Sequence, residues 1–203
     1  MTILYKNEQS GRSMVEMLGV LAIIGVLSIG GISGYSKAMA KYRINKTLDQ
    51  ISTLVMNIRT LYASAVNYAG LTNGVAVQMG IIPRDMLTGA RGSTVASNIE
   101  IVNVYGGKIS LTASGADNDN RNFYVTYSGL PMEACVSIAT ADWGSQAGSG
   151  LQSIGVGASA TGKGESTSLT THEIDTLPLS LSVAAANCSG SGDNGNTIKW
   201  TYY

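Results

Sequence analysis

Residues 11–20 read GRSMVEMLGV, and residues 21–36 read LAIIGVLSIGGISGYS. From Met17 to Ser36 there are twenty consecutive uncharged residues. About 20 apolar residues is the length at which an α-helix crosses a bilayer. A secretory signal peptide has a shorter apolar core and a small-residue cleavage site after it. Here Lys37, Ala38 and Met39 follow instead and continue a helical pattern, so the segment is expected to be retained. A buried core helix is the alternative reading. One carboxylate, Glu16, stands at the lip of the apolar run. An ionised Glu in hydrocarbon costs several kcal/mol unless something pairs with it.

The helical pattern does not stop with the apolar run. The first proline is Pro83, and from Ile44 apolar positions recur at Leu48, Ile51, Val55, Ile58, Tyr62, Ala65 and Ala69. Steps of four and three draw a single stripe along one helix face. One helix is expected from about Ser13 to about Asn67, roughly 80 Å long at 1.5 Å per residue. Its first half is apolar all round and its second half is amphipathic. The stripe is either a coiled-coil seam or a face packed on the chain's own globular part.

Charged residues make up 13% of the 203, about half the usual share, so the surface is neutral and hydroxyl-rich. No basic stripe is present to grip nucleic acid. The zero net charge hides an asymmetry: up to Gly70 there are seven Lys/Arg against three Asp/Glu, and beyond it six against ten. Cys135 and Cys188 are the two cysteines, both in the Gly/Ser-rich part. An even count beyond a membrane segment points to one disulfide in an oxidising compartment, with two unpaired thiols as the alternative. Two cysteines alone offer too few ligands for a metal site.

Beyond the helix, Gly70–Gly74 (GLTNG) carries turn chemistry, and Gly80–Met86 (GIIPRDM) reads as a short helix with Pro in its first turn. Strands are expected at 99–104, 108–112 and 123–127, the first two joined at Gly106-Gly107. A short helix over 131–141 carries Cys135. Residues 144–168 read as a Gly/Ser-rich loop with one weak strand at 151–156, and strands at 177–183 and 197–202 finish the chain. The expected fold class is α+β: the long N-terminal α-helix, membrane-spanning then amphipathic, packed on an antiparallel β-sheet head.

Several motifs fall short of chemistry. Gly157–Gly164 (GASATGKG) nearly spells the phosphate loop GxxxxGK[ST], but Gly164 stands where a hydroxyl should hold Mg²⁺ and no helix pattern follows. Asp117–Asn120 (DNDN) begins like a calcium loop without its Gly or distal Glu. His172 is the only histidine, and no nucleophile motif accompanies it. Neither an enzyme nor a cofactor is expected. Ser13–Glu16 fits the S-x-x-E capping box, and a carboxylate also suits a helix N-terminus. The cap leaves Gly11-Arg12, immediately before it, unexplained.

Gly11 followed by an apolar helix with Glu16 as the fifth residue after it resembles the N-terminus of type IV prepilins. The resemblance covers roughly residues 11 to 60. It implies that a prepilin peptidase cuts the short polar leader MTILYKNEQSG after Gly11 on the cytoplasmic side and methylates the new N-terminus. The first residue after the cut, apolar in most of that family, is Arg12 here, which sets a second positive charge beside the new amino group. The GIIPRDM and GLPMEAC stretches are similar to corresponding pieces of type IVb pilins, especially those of conjugative thin pili. In that family the sheet packs on the helix's C-terminal half, and a disulfide closes a variable C-terminal region, where Cys135 and Cys188 sit suitably.

The resemblance implies four parts: a leader over 1–11, a transmembrane and filament-core helix half over 12–36, an amphipathic half over 37–69, and a head over 70–203. It implies a homopolymer, with the peptidase, inner membrane and assembly machinery as partners, ending as a surface filament for attachment, conjugation or motility. In such a filament Glu16 can neutralise the α-ammonium of a neighbour's Arg12. Gly30-Gly31 marks either a point where the packed helix bends or one of close helix–helix packing. Lys37, Lys41, Arg43 and Lys46 crowd the far end of the apolar run, and the positive-inside rule alone would put the head in the cytoplasm. The cleavage site and the cysteines point the other way, with the N-terminus cytoplasmic. A minor pilin or secretion pseudopilin is the alternative within the family; a membrane-anchored monomeric adhesin is the alternative outside it.

Overall fold

The computed structural model describes residues 14–88, 100–115, 119–144, 149–166 and 168–203. A single helix, α1, runs from Met14 to Leu61. Two compact units divide the chain, Met1–Tyr42 and Arg43–Tyr203. The described part of the first is helix alone, and its large apolar side chains are exposed, from Met14 (86%) to Ile32 (70%).

The second unit is built around a five-stranded antiparallel sheet. After α1 come α2 (Asn73–Gln78), a single 3₁₀ turn at Arg84–Met86, and a two-residue pair, β1 (Leu87–Thr88) with β2 (Glu100–Ile101). Then follow β3 (Ile109–Ala113), β4 (Phe123–Leu130), α3 (Met132–Ala139), β5 (Leu151–Ala158), β6 (Thr170–Glu173), α4 (Leu181–Asn187) and β7 (Asn196–Tyr202). The sheet order is β3-β4-β7-β5-β6. Leu111, Val125, Trp200 and Ile154 lie side by side across four strands and are fully buried. Alternation along a strand sends their neighbours to the opposite face.

Ile51, Leu54, Val55 and Ile58 of α1 join these strands in one apolar core. The stripe is therefore packed on the chain's own head and is not a coiled-coil seam. It includes Leu54 and the buried Thr47 and Gln50, and it ends at the partly buried Tyr62; Ala65 is exposed. The helix also stops at Leu61, short of the Asn67 expected and inside the 37–69 amphipathic half. Ala63 and Ala65 donate to carbonyls three residues back, and Tyr68 N donates to Asn120 O. These turns swing the Tyr68 ring between Tyr62 and Phe123, with centroids 5.3 and 4.6 Å away.

Other local features follow from single residues. Asn103 Oδ1 accepts from Tyr105 N and Gly107 N while its Nδ2 donates to Ser128 O, which closes the turn before β3. A Cβ on Gly107 would lie 1.7 Å from Ser128 O, so the residue must be glycine. The strand expected at 177–183 is absent. Leu177-Pro178 is a cis bond, Ser180 caps a helix by accepting from Val183 N, and an alanine-rich turn continues as α4. The loop expected over 144–168 instead contains β5, longer than its expected 151–156, and the unforeseen β6 follows it.

Cys135 of α3 and Cys188 at the end of α4 form a disulfide. It bridges a sequence separation of 53 residues. Closing a loop of that size restricts the unfolded chain and stabilises by roughly 4 kcal/mol on the chain-entropy model. Cys135→Ser should therefore lower the unfolding free energy of the head by about 2–5 kcal/mol, read as a reduced denaturation midpoint of purified protein. The same midpoint in the variant and in the parent would remove the bond from the list of what stabilises the head.

Candidate assembly site

Glu16 lies in the first turn of α1 with an exposed side chain. Gly11 and Arg12, expected to be the cleavage site and Glu16's partner, lie outside the described residues, as does Ser13 of the capping box. Behind Glu16, α1 contains an eighteen-residue stretch long and apolar enough to cross a membrane, and none of it is buried. Gly30 and Gly31 fall inside this uninterrupted helix, and a Cβ built on either meets nothing within 4 Å. The backbone there is bare to any helix that approaches it.

In the second unit, the loop after α2 is clamped to α1. Lys46 Nζ sits 2.8 Å from Asp85 Oδ2, and Gln50 Nε2 donates to the same oxygen at 3.2 Å. Two turns further on, Asn57 Nδ2 donates to Ile81 O at 2.7 Å. Lys46, Gln50 and Asn57 thus hold the GIIPRDM segment along one helix edge. The Lys46 hydrogen bond is the largest influence holding the Asp85 carboxyl below its usual range. Sequence reading missed this clamp, because Lys46 and Asp85 are far apart in the chain and belong to no local pattern.

The weaker motifs resolve into structure. Lys163 of the GASATGKG segment donates to Tyr105 O at 3.0 Å, and only a 3₁₀ turn surrounds it. Of the DNDN segment, Asp117 and Asn118 are outside the described residues, while Asp119 and Asn120 take left-handed turn conformations. His172 lies on β6, its Nε2 2.7 Å from Asn187 Nδ2 of α4. Among the described residues no group of three or more His, Cys, Asp or Glu is placed to hold a metal.

A long N-terminal helix, its first part bare and apolar, followed by an antiparallel head is the fold of type IV pilins. The "Crystal structure of type IV b pilin from Salmonella typhi" has the same fold, with a TM-score of 0.54 at 21% identity over 78% of this chain and 98% of that one. In sequence, the "Major structural subunit of bundle-forming pilus" of Escherichia coli O127:H6 (strain E2348/69 / EPEC) is 27% identical over 147 residues, 71% of each protein. The protein of that description from Escherichia coli O111:H- matches to the same extent. The family model described as PilS N terminal matches residues 41–203, and the chain belongs to that family. It is a type IV pilin, a structural protein and not an enzyme.

The clamp has a pH dependence of defined sign. Asp85 has a lower pKa folded than unfolded, so its contribution is complete above the ordinary carboxylate range and is lost as pH falls through the folded value. The pair is solvent-accessible and should contribute under about 1 kcal/mol. Unfolding of Asp85→Asn beside the parent should show a small deficit at neutral pH that shrinks as pH falls below the ordinary carboxylate range. A deficit that persists unchanged into acid would mean that the ion pair is not its source.

Proposed function

We propose that the chain is the major subunit of a type IVb-like pilus, made as an inner-membrane prepilin and polymerised into a surface filament. The observation that carries this is the unburied apolar half of α1. So large an apolar surface needs a cover, and a bilayer before assembly and neighbouring helices after it both supply one. The bundle-forming pilus relatives support the choice of a major subunit. On this reading residues 1–11 are a leader, and residues from Arg12 to about Ser36 form the filament core. Prepilin peptidase and the assembly machinery act on the chain in the inner membrane, and the head is displayed outside the cell.

Glu16 then has work that a cap alone does not require. In the bundled core its carboxylate meets the α-ammonium of a neighbour's Arg12, and a misplaced subunit leaves both charges unpaired. The Arg12 guanidinium can reach Glu16 of its own helix at the i,i+4 spacing. The α-ammonium competes well because it is fixed to the backbone, whereas Arg must order a long side chain. Gly30 and Gly31 allow the helix to bend there or to pack closely.

Two experiments test the proposal. The filament protein should begin at Arg12 by N-terminal sequencing or intact mass; a mature chain starting near residue 39 would mean an ordinary signal peptide. Glu16→Gln keeps the capping box and loses about 1 kcal/mol or less as a cap, but breaking a buried pair costs about 3–5 kcal/mol at every subunit added. Processed Glu16→Gln pilin should accumulate in the inner membrane while sheared filaments fall sharply. A normal filament yield would return Glu16 to capping.

A further inference from the structure

The sheet's second face, opposite the apolar core, is built of hydroxyls. In register across four strands stand Thr112, Tyr124, Thr201 and Ser153. The next row along is Thr126, Lys199, Gly155 and Thr171. Strands about 4.8 Å apart therefore present polar groups at a spacing comparable to the width of a sugar ring. Both rows line one cleft, whose far wall is Glu165, Ser166 and Leu169 of the segment between β5 and β6.

Glycine makes the cleft possible. A Cβ on Gly157 would lie 2.6 Å from Ser168 O, and one on Gly155 would lie 3.3 Å from the Leu169 side chain. Their absence lets the segment fold down over β5 and form a wall. Inside, Lys199 Nζ lies 3.7 Å from the Tyr124 ring centroid, which fixes the ammonium over the cleft floor. Burial lowers the Lys199 pKa, and the charge of Glu165 opposes that shift. Neither residue belongs to an ion pair among the described residues. The hydroxyls of Thr126, Thr171 and Thr201 likewise have no protein partner there. Hydroxyls both donate and accept, Lys199 only donates and Glu165 only accepts.

This inventory selects a ligand class. A phosphate or other anion would meet Glu165 as well as the single ammonium. An apolar ligand would strip water from many hydroxyls without replacing their hydrogen bonds. A neutral ligand bearing several hydroxyls satisfies donors and acceptors together, and Leu169 offers contact to its C–H face. We infer that the cleft between the outer sheet face and the wall of Glu165, Ser166 and Leu169 binds a neutral saccharide, with Lys199 and Glu165 orienting its hydroxyls. The filament's heads would then carry a repeated glycan-binding site, separate from the helix that assembles them.

Saturation-transfer NMR on detergent-solubilised full-length pilin tests this, with glucose, galactose, mannose and N-acetylglucosamine as probes and N-acetylneuraminic acid as the charged comparison. At least one neutral sugar should receive magnetisation from the parent protein. Lys199→Met or Glu165→Gln should weaken that binding by about tenfold or more, the usual effect of deleting a hydrogen bond to a charged group, and Thr201→Val by less. Asp175→Asn, away from the cleft, should bind as the parent does. Glu165 is on an exposed segment, so Glu165→Gln serves if Lys199→Met fails to fold, with circular dichroism as the check. No transfer to any neutral sugar, undiminished binding by folded Glu165→Gln, or preference for the acidic sugar would each overturn the inference. Unassembled protein is used, so filament failure and failure of the binding site are told apart.

Discussion

The contact on which the rest of the molecule depends is the burial of Ile51, Leu54, Val55 and Ile58 against the inner face of the sheet. Three of these side chains are fully buried and Val55 nearly so. Full burial of such residues is worth about 1.5–3 kcal/mol each, enough for one helical turn after another to be held by packing alone. The same α1 that fills the head's core begins as a bare apolar rod. Loss of the stripe would remove four apolar side chains from the core that Trp200, Val125 and Leu111 share.

Around this contact, polar side chains fix what apolar packing leaves free. Asn103 and Gly107 set the turn that leads into β3. Asn196 Oδ1 accepts from Gly190 N and its Nδ2 donates to Leu130 O, so a buried amide ties the segment just after α4 to the end of β4. Buried backbone groups must be paired, and outside regular ladders a side-chain amide can serve as donor and acceptor together. The Cys135–Cys188 bond then secures two short helices that bury few residues of their own.

Elements with a strong local period were legible in the sequence. The apolar run and the stripe announced α1, and alternation announced β3, β4 and β7. What was misread lay where tertiary contact overrides local pattern. Residues 62–67 continue a helical spacing, yet Tyr68 is drawn to Phe123 and the helix ends at Leu61. Residues 177–183 alternate like a strand, but Ser180 supplies a cap and the alanines after it complete a helix. Gly155 and Gly157 made β5 read as only a weak strand, ending at Val156, within a loop, because nothing in the sequence says that another segment needs their missing Cβ atoms. Glu16, Arg12 and Gly11 were singled out by the resemblance to prepilins, whereas Lys199, Tyr124 and Glu165 meet only through sheet register and a folded-back segment.

The strand order has a bearing on how the chain is made. Strands β4 and β5 follow one another in sequence but never pair; the place between them belongs to β7, which comes after both, after β6 and after α4. During synthesis each therefore waits with an open edge until the final strand arrives. An unpaired edge is a template for any extended chain nearby. A nascent head is thus most open to wrong partners late in its synthesis, and insertion of β7 closes both edges in one event, so the sheet cannot mature piecemeal from its beginning.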